Sequence, residues 1–230
     1  MPRTLFLLGG GSGILDAVNE AFVAAAGPRP VLALLLQGGP GWERFLPQYL
    51  EPWLRRGVQE YTILVPDPRG ELDTAAAVAV LRAATGIFIG GGNTEIYRRL
   101  YATEPIRTVI REGYRQGVPV AGLSAGAILA AEVALLLPEE AGSDTVEVAE
   151  GLGLLPNCVA GVHFTEFDAL PDVLTAMRQA RVPHALGLDE EAAAVLEDER
   201  LRGIIGRGVY RITMTDFATP AYTIEEVVVP

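Results

Sequence analysis

Residues 118–136 read VPVAGLSAGAILAAEVALL: a wholly apolar run, a Gly-x-Ser-x-Gly turn, then a small-residue stretch of helical composition. This spells a buried strand over Val118–Leu123, a sharp reversal at Ser124 and a helix over Ala125–Leu136. The same unit recurs upstream. Thr4–Leu8 ends in Gly9-Gly10-Gly11 and leads to a helical Ile14–Ala26. Val31–Leu36 ends in Gln37-Gly38-Gly39 and precedes a helix over Trp42–Arg56; Tyr61–Val65 precedes a helical Glu71–Ala84. Gly86–Ile89 runs into Gly90-Gly91-Gly92-Asn93 and two helical pieces, Thr94–Tyr101 and Pro105–Gln116. Strands apolar on both faces and alternating with helices require a parallel sheet covered on both sides. The expected fold is an α/β three-layer sandwich around a doubly wound, mostly parallel sheet.

Beyond Pro138 the pattern changes. Val146–Ala149, Cys158–Phe164, Ala185–Leu188, Ala192–Leu196, Arg202–Ile205, Val209–Met214 and Thr223–Val229 are short strand-like runs, interrupted by a helical Asp168–Arg181. Some are expected to extend the sheet and others to pair as an antiparallel C-terminal hairpin, with Gly206-Arg207-Gly208 the clearest turn signal. No repeat or Pro/Ser linker divides the chain, so a single domain over 1–230 is expected.

Composition removes whole classes of chemistry. Of 230 residues, 50% are hydrophobic and 20% charged, which describes a compact folded chain rather than a disordered one. The net charge is −11 with no basic stripe, so no nucleic-acid partner is expected. No apolar run is long enough for a membrane span, and the N-terminus lacks the flanks of a secretory leader; a cytoplasmic location is the expectation. All 18 basic residues are arginine, which excludes a Schiff-base lysine, a P-loop lysine and a Ser–Lys dyad. One cysteine (Cys158) and two histidines (His163 and His184) leave no internal disulfide and no three-histidine zinc site. No cofactor or metal is expected.

In a doubly wound sheet, ligands bind beyond the carboxyl ends of the strands, where the glycine clusters fall. Gly9, Gly11 and Gly13 have the wrong spacing for a dinucleotide fingerprint, and no acidic residue closes the next strand; they read as a tight turn. Gly122-Leu123-Ser124-Ala125-Gly126 lies between a strand and a helix, the context in which a serine is thrust out as a nucleophile; a capping serine is the alternative. A serine nucleophile needs a base, which only His163 or His184 can supply. Spacing does not choose an orienting acid. Cys158, in an apolar strand, reads as a buried small hydrophobe, and Trp42 and Trp53 as one packing face of one helix.

Gly90-Gly91-Gly92-Asn93-Thr94, then Gly122–Ala127, then His163-Phe164-Thr165 resemble, in order and spacing, the serine peptidase family of dipeptidase E and cyanophycinase. That resemblance implies a class I glutamine amidotransferase-like (flavodoxin-like) sandwich, a small peptide substrate and a homodimer. It makes Ser124 the nucleophile and His163 the base, with backbone N–H groups of Gly92 and Ala125 as the oxyanion hole. For the acid, the dipeptidase branch points to the Glu139–Asp144 segment. The cyanophycinase branch points to Glu190, within Gly187-Leu188-Asp189-Glu190 and 27 residues after His163; Glu190 is the reading adopted. Gly91, Asn93, Thr94, Thr165 and Arg178 are the expected substrate-binding residues, Arg178 as the cation for an aspartate side chain. Gly161-Val162 stand where cyanophycinases carry Asp-Gln, Asn93 replaces their Gln, and Thr165–Leu170 lacks their arginines. The resemblance therefore leans to an aspartyl dipeptidase-like enzyme, with a cyanophycinase-like β-aspartyl isopeptidase and a non-peptidase binding protein as alternatives.

Overall fold

A computed structural model describes residues 2–219 and 221–228. The apolar runs of the N-terminal half form five strands: β1 (Thr4–Leu8), β2 (Val31–Leu35), β3 (Glu60–Leu64), β4 (Gly86–Ile89) and β5 (Val120–Leu123). They pair in parallel in the order β1-β5-β4-β2-β3. Five helices occupy the connections: α1 (Ile14–Ala25), α2 (Leu46–Arg55), α3 (Thr74–Ala83), α4 (Thr94–Tyr101) and α5 (Ile106–Arg115). Parallel pairing brings every carboxyl end, and the glycine cluster after it, to one edge of the sheet.

Two N-terminal details differ from the sequence reading. The stretch Trp42–Arg56 is not one helix: Trp42–Phe45 form a 3-10 turn, and α2 starts at Leu46 with Pro47 in its first turn. Trp42 and Trp53 therefore do not share a helix face. Trp53 is buried and donates to Asn19 Oδ1 at 2.6 Å, whereas Trp42 lines a surface cavity.

The larger correction follows Ser124. The expected helix Ala125–Leu136 is a short α6 (Ala125–Ala130) that passes directly into β6 (Ala131–Leu136). The alanines allow a helix, but Val133 and Leu135 find ladder partners that a helix would forgo, and tertiary pairing overrides weak propensity. β6 belongs to a second sheet. After α7 (Pro138–Ala141), β7 (Glu147–Glu150) pairs antiparallel with β6; β8 (Leu155–Val162), followed by α8 (Leu170–Ala180), and β9 (His184–Leu188) continue it in parallel.

The last strands divide between the sheets. β10 (Ala193–Glu197) pairs antiparallel with β1, and β11 (Arg200–Ile205) pairs with β10, which completes a seven-stranded sheet. β12 (Val209–Asp216) pairs antiparallel with β9, and β13 (Ala221–Glu226) with β12, which completes a six-stranded sheet ordered β13-β12-β9-β8-β6-β7. The antiparallel C-terminal hairpins are thus β10–β11 and β12–β13. The Gly206-Arg207-Gly208 turn is not a hairpin turn; it carries the chain from one sheet to the other. Val227 N–H donates to Val209 O at 2.7 Å and Val228 is exposed, while Val229 lies outside the described residues.

One apolar cluster joins the sheets, with Leu5, Leu7 and Val120 from the first and Cys158, Leu186 and Leu188 from the second. Among the described residues, no helix is long and apolar enough to cross a membrane.

The first turn of α6 crosses the ends of β4 and β5 backbone to backbone. A Cβ on Gly122 would overlap the backbone of Gly126, and one on Gly126 the carbonyl of Ile89. Gly122→Ala is therefore expected to destabilise by about 3 kcal/mol, since backbone atoms cannot yield as a side chain does. Thermal melting should show a Tm lowered by roughly 6–12 °C.

Candidate active site

Ser124 occupies the turn between β5 and α6 with φ 51° and ψ −113°, a strained conformation that projects its hydroxyl from the sheet edge. Its Oγ lies 3.0 Å from Nε2 of His163. His163 follows β8 in the left-handed region, with φ 45°. Its Nδ1 lies 2.8 Å from Oε1 of Glu190, in the turn after β9. The structure thus brings Ser124, His163 and Glu190 into one hydrogen-bonded line, the hydroxyl arriving from the first sheet and the other two from the second.

The end of β1 seats Ser124, His163 and Glu191, the neighbour of Glu190. Leu8 O accepts from Ser124 N–H at 2.9 Å, Gly9 O from His163 N–H at 3.3 Å, and Gly10 O from Glu191 N–H at 3.1 Å. The glycines read from sequence as a tight turn therefore do more. A Cβ on Gly9 would overlap the carbonyls of Leu188 and Asp189, and one on Gly10 the His163 ring. Gly13 N–H also donates to Glu191 Oε1 at 3.1 Å.

Each residue of Gly187-Leu188-Asp189-Glu190 has a separate task. Gly187 leaves room for the Phe164 ring, and Leu188 is buried with its carbonyl accepting from Phe164 N–H at 3.1 Å. Asp189 accepts from Thr165 N–H at 2.9 Å and from the Tyr210 hydroxyl at 3.3 Å. Glu190 faces the imidazole while its own N–H donates to Glu166 Oε1 at 3.1 Å. Gly206 and Gly208 pass so close to Glu191 and Asp189 that neither has room for a side chain.

No carboxylate of the Glu139–Asp144 segment hydrogen-bonds to His163, whose Nδ1 partner is Glu190. Glu140 receives Thr94 N–H at 2.6 Å and Leu137 N–H at 3.2 Å, which ties α7 to the start of α4, and Asp144 is exposed. His184 begins β9, at the opposite end of that strand from Glu190.

Two cavities flank Ser124. One, of about 600 Å³, is lined by Gln37, Trp42, Arg44, Gln48, Tyr49 and Gly91 beside Ser124 and His163. The other, of about 520 Å³, is largely apolar, with Ile128, Leu135, Val162 and Phe167, and carries Glu139 and Asp172. Burial, then Glu139 and Asp168, raise the Asp172 carboxyl above the usual carboxylate range. Gly92 lines both cavities.

The expected substrate contacts divide. Gly91 lines the first cavity and Thr94 the second. Asn93 lines neither: its side chain caps α4 by accepting from Ile96 N–H at 2.9 Å. Thr165 is exposed and outside both. Arg178, near the C-terminal end of α8, lines a hollow with Thr175 and Phe217 instead, so the structure does not bring it to Ser124. Of the arginines, Arg44 lines the first cavity with Ser124, its guanidinium lying over the Phe45 ring 4.7 Å from the centroid. Its sequence signal, an arginine just past a strand-end glycine pair, was too generic to single out.

Sequence reasoning also missed the supports of the glycine loop. Tyr49 hydroxyl accepts from Gly91 N–H at 3.1 Å, Tyr97 hydroxyl donates to Gly91 O at 3.2 Å, and Gln37 Oε1 accepts from Asn93 N–H at 2.7 Å. No group of three or more metal-ligating side chains occurs among the described residues.

Two predictions follow from this geometry. Gly10 is not left-handed, so alanine fits its backbone, and the atoms nearest its Cβ belong to the His163 imidazole. Gly10→Ala should leave the melting temperature near that of the parent and slow labelling of Ser124 by a fluorophosphonate at least about ten-fold. Burial pushes the Cys158 thiol up to about 12. Iodoacetamide should therefore leave the native protein unmodified and label it only on unfolding, as intact mass will report.

The chain is similar to known proteins over most of its length. It is 28% identical over 171 residues to a cyanophycinase of Synechococcus elongatus, a match covering 73% of this chain and 52% of that protein. With a cyanophycinase of Nostoc sp. the figures are 25% over 173 residues, 74% and 57%. The chain thus spans about half the length of these curated relatives. Its fold resembles the crystal structure of a peptidase from an acI-B1 actinobacterium, with TM-score 0.65, 19% identity and coverage of 93% and 88% of the two chains. A Listeria monocytogenes EGD-e protein described as a candidate peptidase E has TM-score 0.61, 14% identity and coverage of 88% and 98%. The sequence profile of Peptidase family S51 matches residues 63–204, which hold Ser124, His163 and Glu190, and the chain belongs to that family.

Proposed function

We propose that this protein is a serine-type hydrolase of small peptides, with Ser124 as nucleophile, His163 as general base and Glu190 as the orienting carboxylate. The observation that carries the reading is the line Ser124 Oγ–His163 Nε2–His163 Nδ1–Glu190 Oε1, with links of 3.0 and 2.8 Å. In the tautomer this requires, Nδ1–H donates to Glu190 and the Nε2 lone pair faces the serine hydroxyl. His163 takes the hydroxyl proton as Oγ attacks the scissile carbonyl, and the C–N bond breaks as Nε2–H protonates the leaving amine. Water then attacks the acyl-serine with His163 again as base, and the acyl C–O bond breaks as Nε2–H returns a proton to Ser124 Oγ, releasing the acid product. The developing oxyanion is received by the N–H groups of Ala125 and Gly92, each contributing about 3 kcal/mol in the transition state.

The first reading of specificity is aspartyl dipeptidase-like. Arg44 takes the part that the sequence reading gave to Arg178, since it lines the cavity that Ser124 also lines and a guanidinium there suits a substrate carboxylate. A second reading, a cyanophycinase-like β-aspartyl isopeptidase, is favoured by Glu139 and Asp172 in the other cavity, whose charge suits a substrate guanidinium.

The test is hydrolysis of Asp-Leu, Glu-Leu, Ala-Leu, Asn-Leu and β-Asp-Arg, read by amine release. Ser124→Ala and His163→Ala should lower turnover by about six orders of magnitude, to background. Glu190→Gln should cost about four, while Asp144→Asn has no effect. Arg44→Gln should raise KM for Asp-Leu about ten-fold and leave Ala-Leu unchanged. A preference for β-Asp-Arg that Asp172→Asn removes would select the second reading. A wild-type enzyme with no Ser124-dependent cleavage of any member would return the protein to the binding-protein class.

A further inference from the structure

The turn after β8 carries two phenylalanines with opposite fates. Phe164 is buried against Gly161 and Gly187. Phe167 is 68% exposed, yet its ring stacks on the imidazole of His163 with centroids 4.8 Å apart and planes inclined by 21°. A single exposed apolar side chain needs no explanation in general. This one is held in place by its backbone. His163 and Asp168 both take left-handed conformations, at φ 45° and 49°. Phe167 N–H donates to His163 O and Ala169 N–H to Phe164 O, both at 2.9 Å. The closed turn folds Phe167 back over the residue that begins it.

We infer that Phe167 is a positioning residue for His163, an inference that rests on the proposed role of that histidine. The second torsion of a histidine side chain is broad and nearly two-fold, so packing must choose the side on which each nitrogen lies. A half-turn would exchange Nδ1 with Cδ2 and Nε2 with Cε1, and break both links of the Ser124–His163–Glu190 line. Gly10 closes in on the ring near Cε1, and Phe167 covers a face. An imidazole turning about its bond to Cβ would sweep into that phenyl ring. The same aromatic face also favours the imidazolium that forms when Ser124 is deprotonated.

The experiment compares Phe167→Leu and Phe167→Tyr with the parent in three measurements. One is the imidazole region of ¹H–¹⁵N NMR spectra, which are simple because the chain has two histidines, with His184→Ala to assign them. The others are the rate of fluorophosphonate labelling at Ser124, and kcat and KM for the preferred dipeptide. Phe167→Leu should lower kcat and the labelling rate about ten-fold with KM nearly unchanged, while Phe167→Tyr stays within about two-fold of the parent. The His163 ring protons should lose their upfield ring-current shift and broaden in Phe167→Leu, and keep both features of the parent in Phe167→Tyr. Parental kinetics and sharp His163 signals with an unchanged tautomer in Phe167→Leu would overturn the inference, as would equal losses in Phe167→Leu and Phe167→Tyr. A parent that neither hydrolyses peptides nor labels at Ser124, with His163 signals that still depend on residue 167, would refute the peptidase reading and leave the positioning role standing.

Discussion

Three consecutive carbonyls at the carboxyl end of β1 accept the N–H groups of Ser124, His163 and Glu191. Each bond is worth only about 1 kcal/mol net, so their importance is geometric. Three residues far apart in the chain are referred to one rigid strand end, that of the strand which also pairs with β5 and β10. The arrangement leaves no space for a side chain at Gly9, where the backbone of Leu188 and Asp189 closes in, and at Gly10 a side chain would meet the His163 ring. Leu5, Leu7 and Leu8, all fully buried, fix that strand in the core.

The opposite wall of the site has its own scaffold. The glycine loop after β4 cannot support itself, so the hydroxyls of Tyr49 and Tyr97 and the carboxamide of Gln37 hold its peptide groups. Burial raises the phenols of both tyrosines, so they remain neutral hydrogen-bonding groups at ordinary pH. Tyr101, with its hydroxyl shared between Leu36 O and Leu64 O, secures the ends of β2 and β3 beneath that loop. Glu140 adds a strap from α7 to Thr94. Beyond these supports Arg44 marks one cavity and Glu139 with Asp172 the other, so the serine lies between surfaces of opposite charge.

Four of the five parallel strands were legible because they are apolar on both faces and meet a glycine-bearing turn, while β3, an exposed edge strand, was marked by the prolines after it; Thr4–Leu8 and Gly86–Ile89 have the bounds read from sequence. The second sheet was not legible, because β6 begins in an alanine-rich run whose local propensity is helical and whose pairing partners lie further along the chain. At the site, Ser124 was marked by a local pattern and His163 by scarcity. Glu190 has no local signal that distinguishes it from Glu191 or Asp189, and only the family resemblance singled it out. Arg178 was singled out through the family resemblance, yet lies on the exposed side of α8. Gln37, Tyr49 and Tyr97 act on backbone atoms from a distance, and contacts of that kind leave no periodicity or spacing to read.

Ser124 stands at the edge of the seven-stranded sheet, and His163 and Glu190 follow strands of the six-stranded one. Their hydrogen-bonded line is therefore a gauge of how the two sheets are registered. A slip of an ångström between them would leave every strand intact and most of the apolar core buried, yet separate Oγ from Nε2. Alignment of this line and integrity of the strands are therefore distinct quantities, and a measure of secondary structure reports the second without the first.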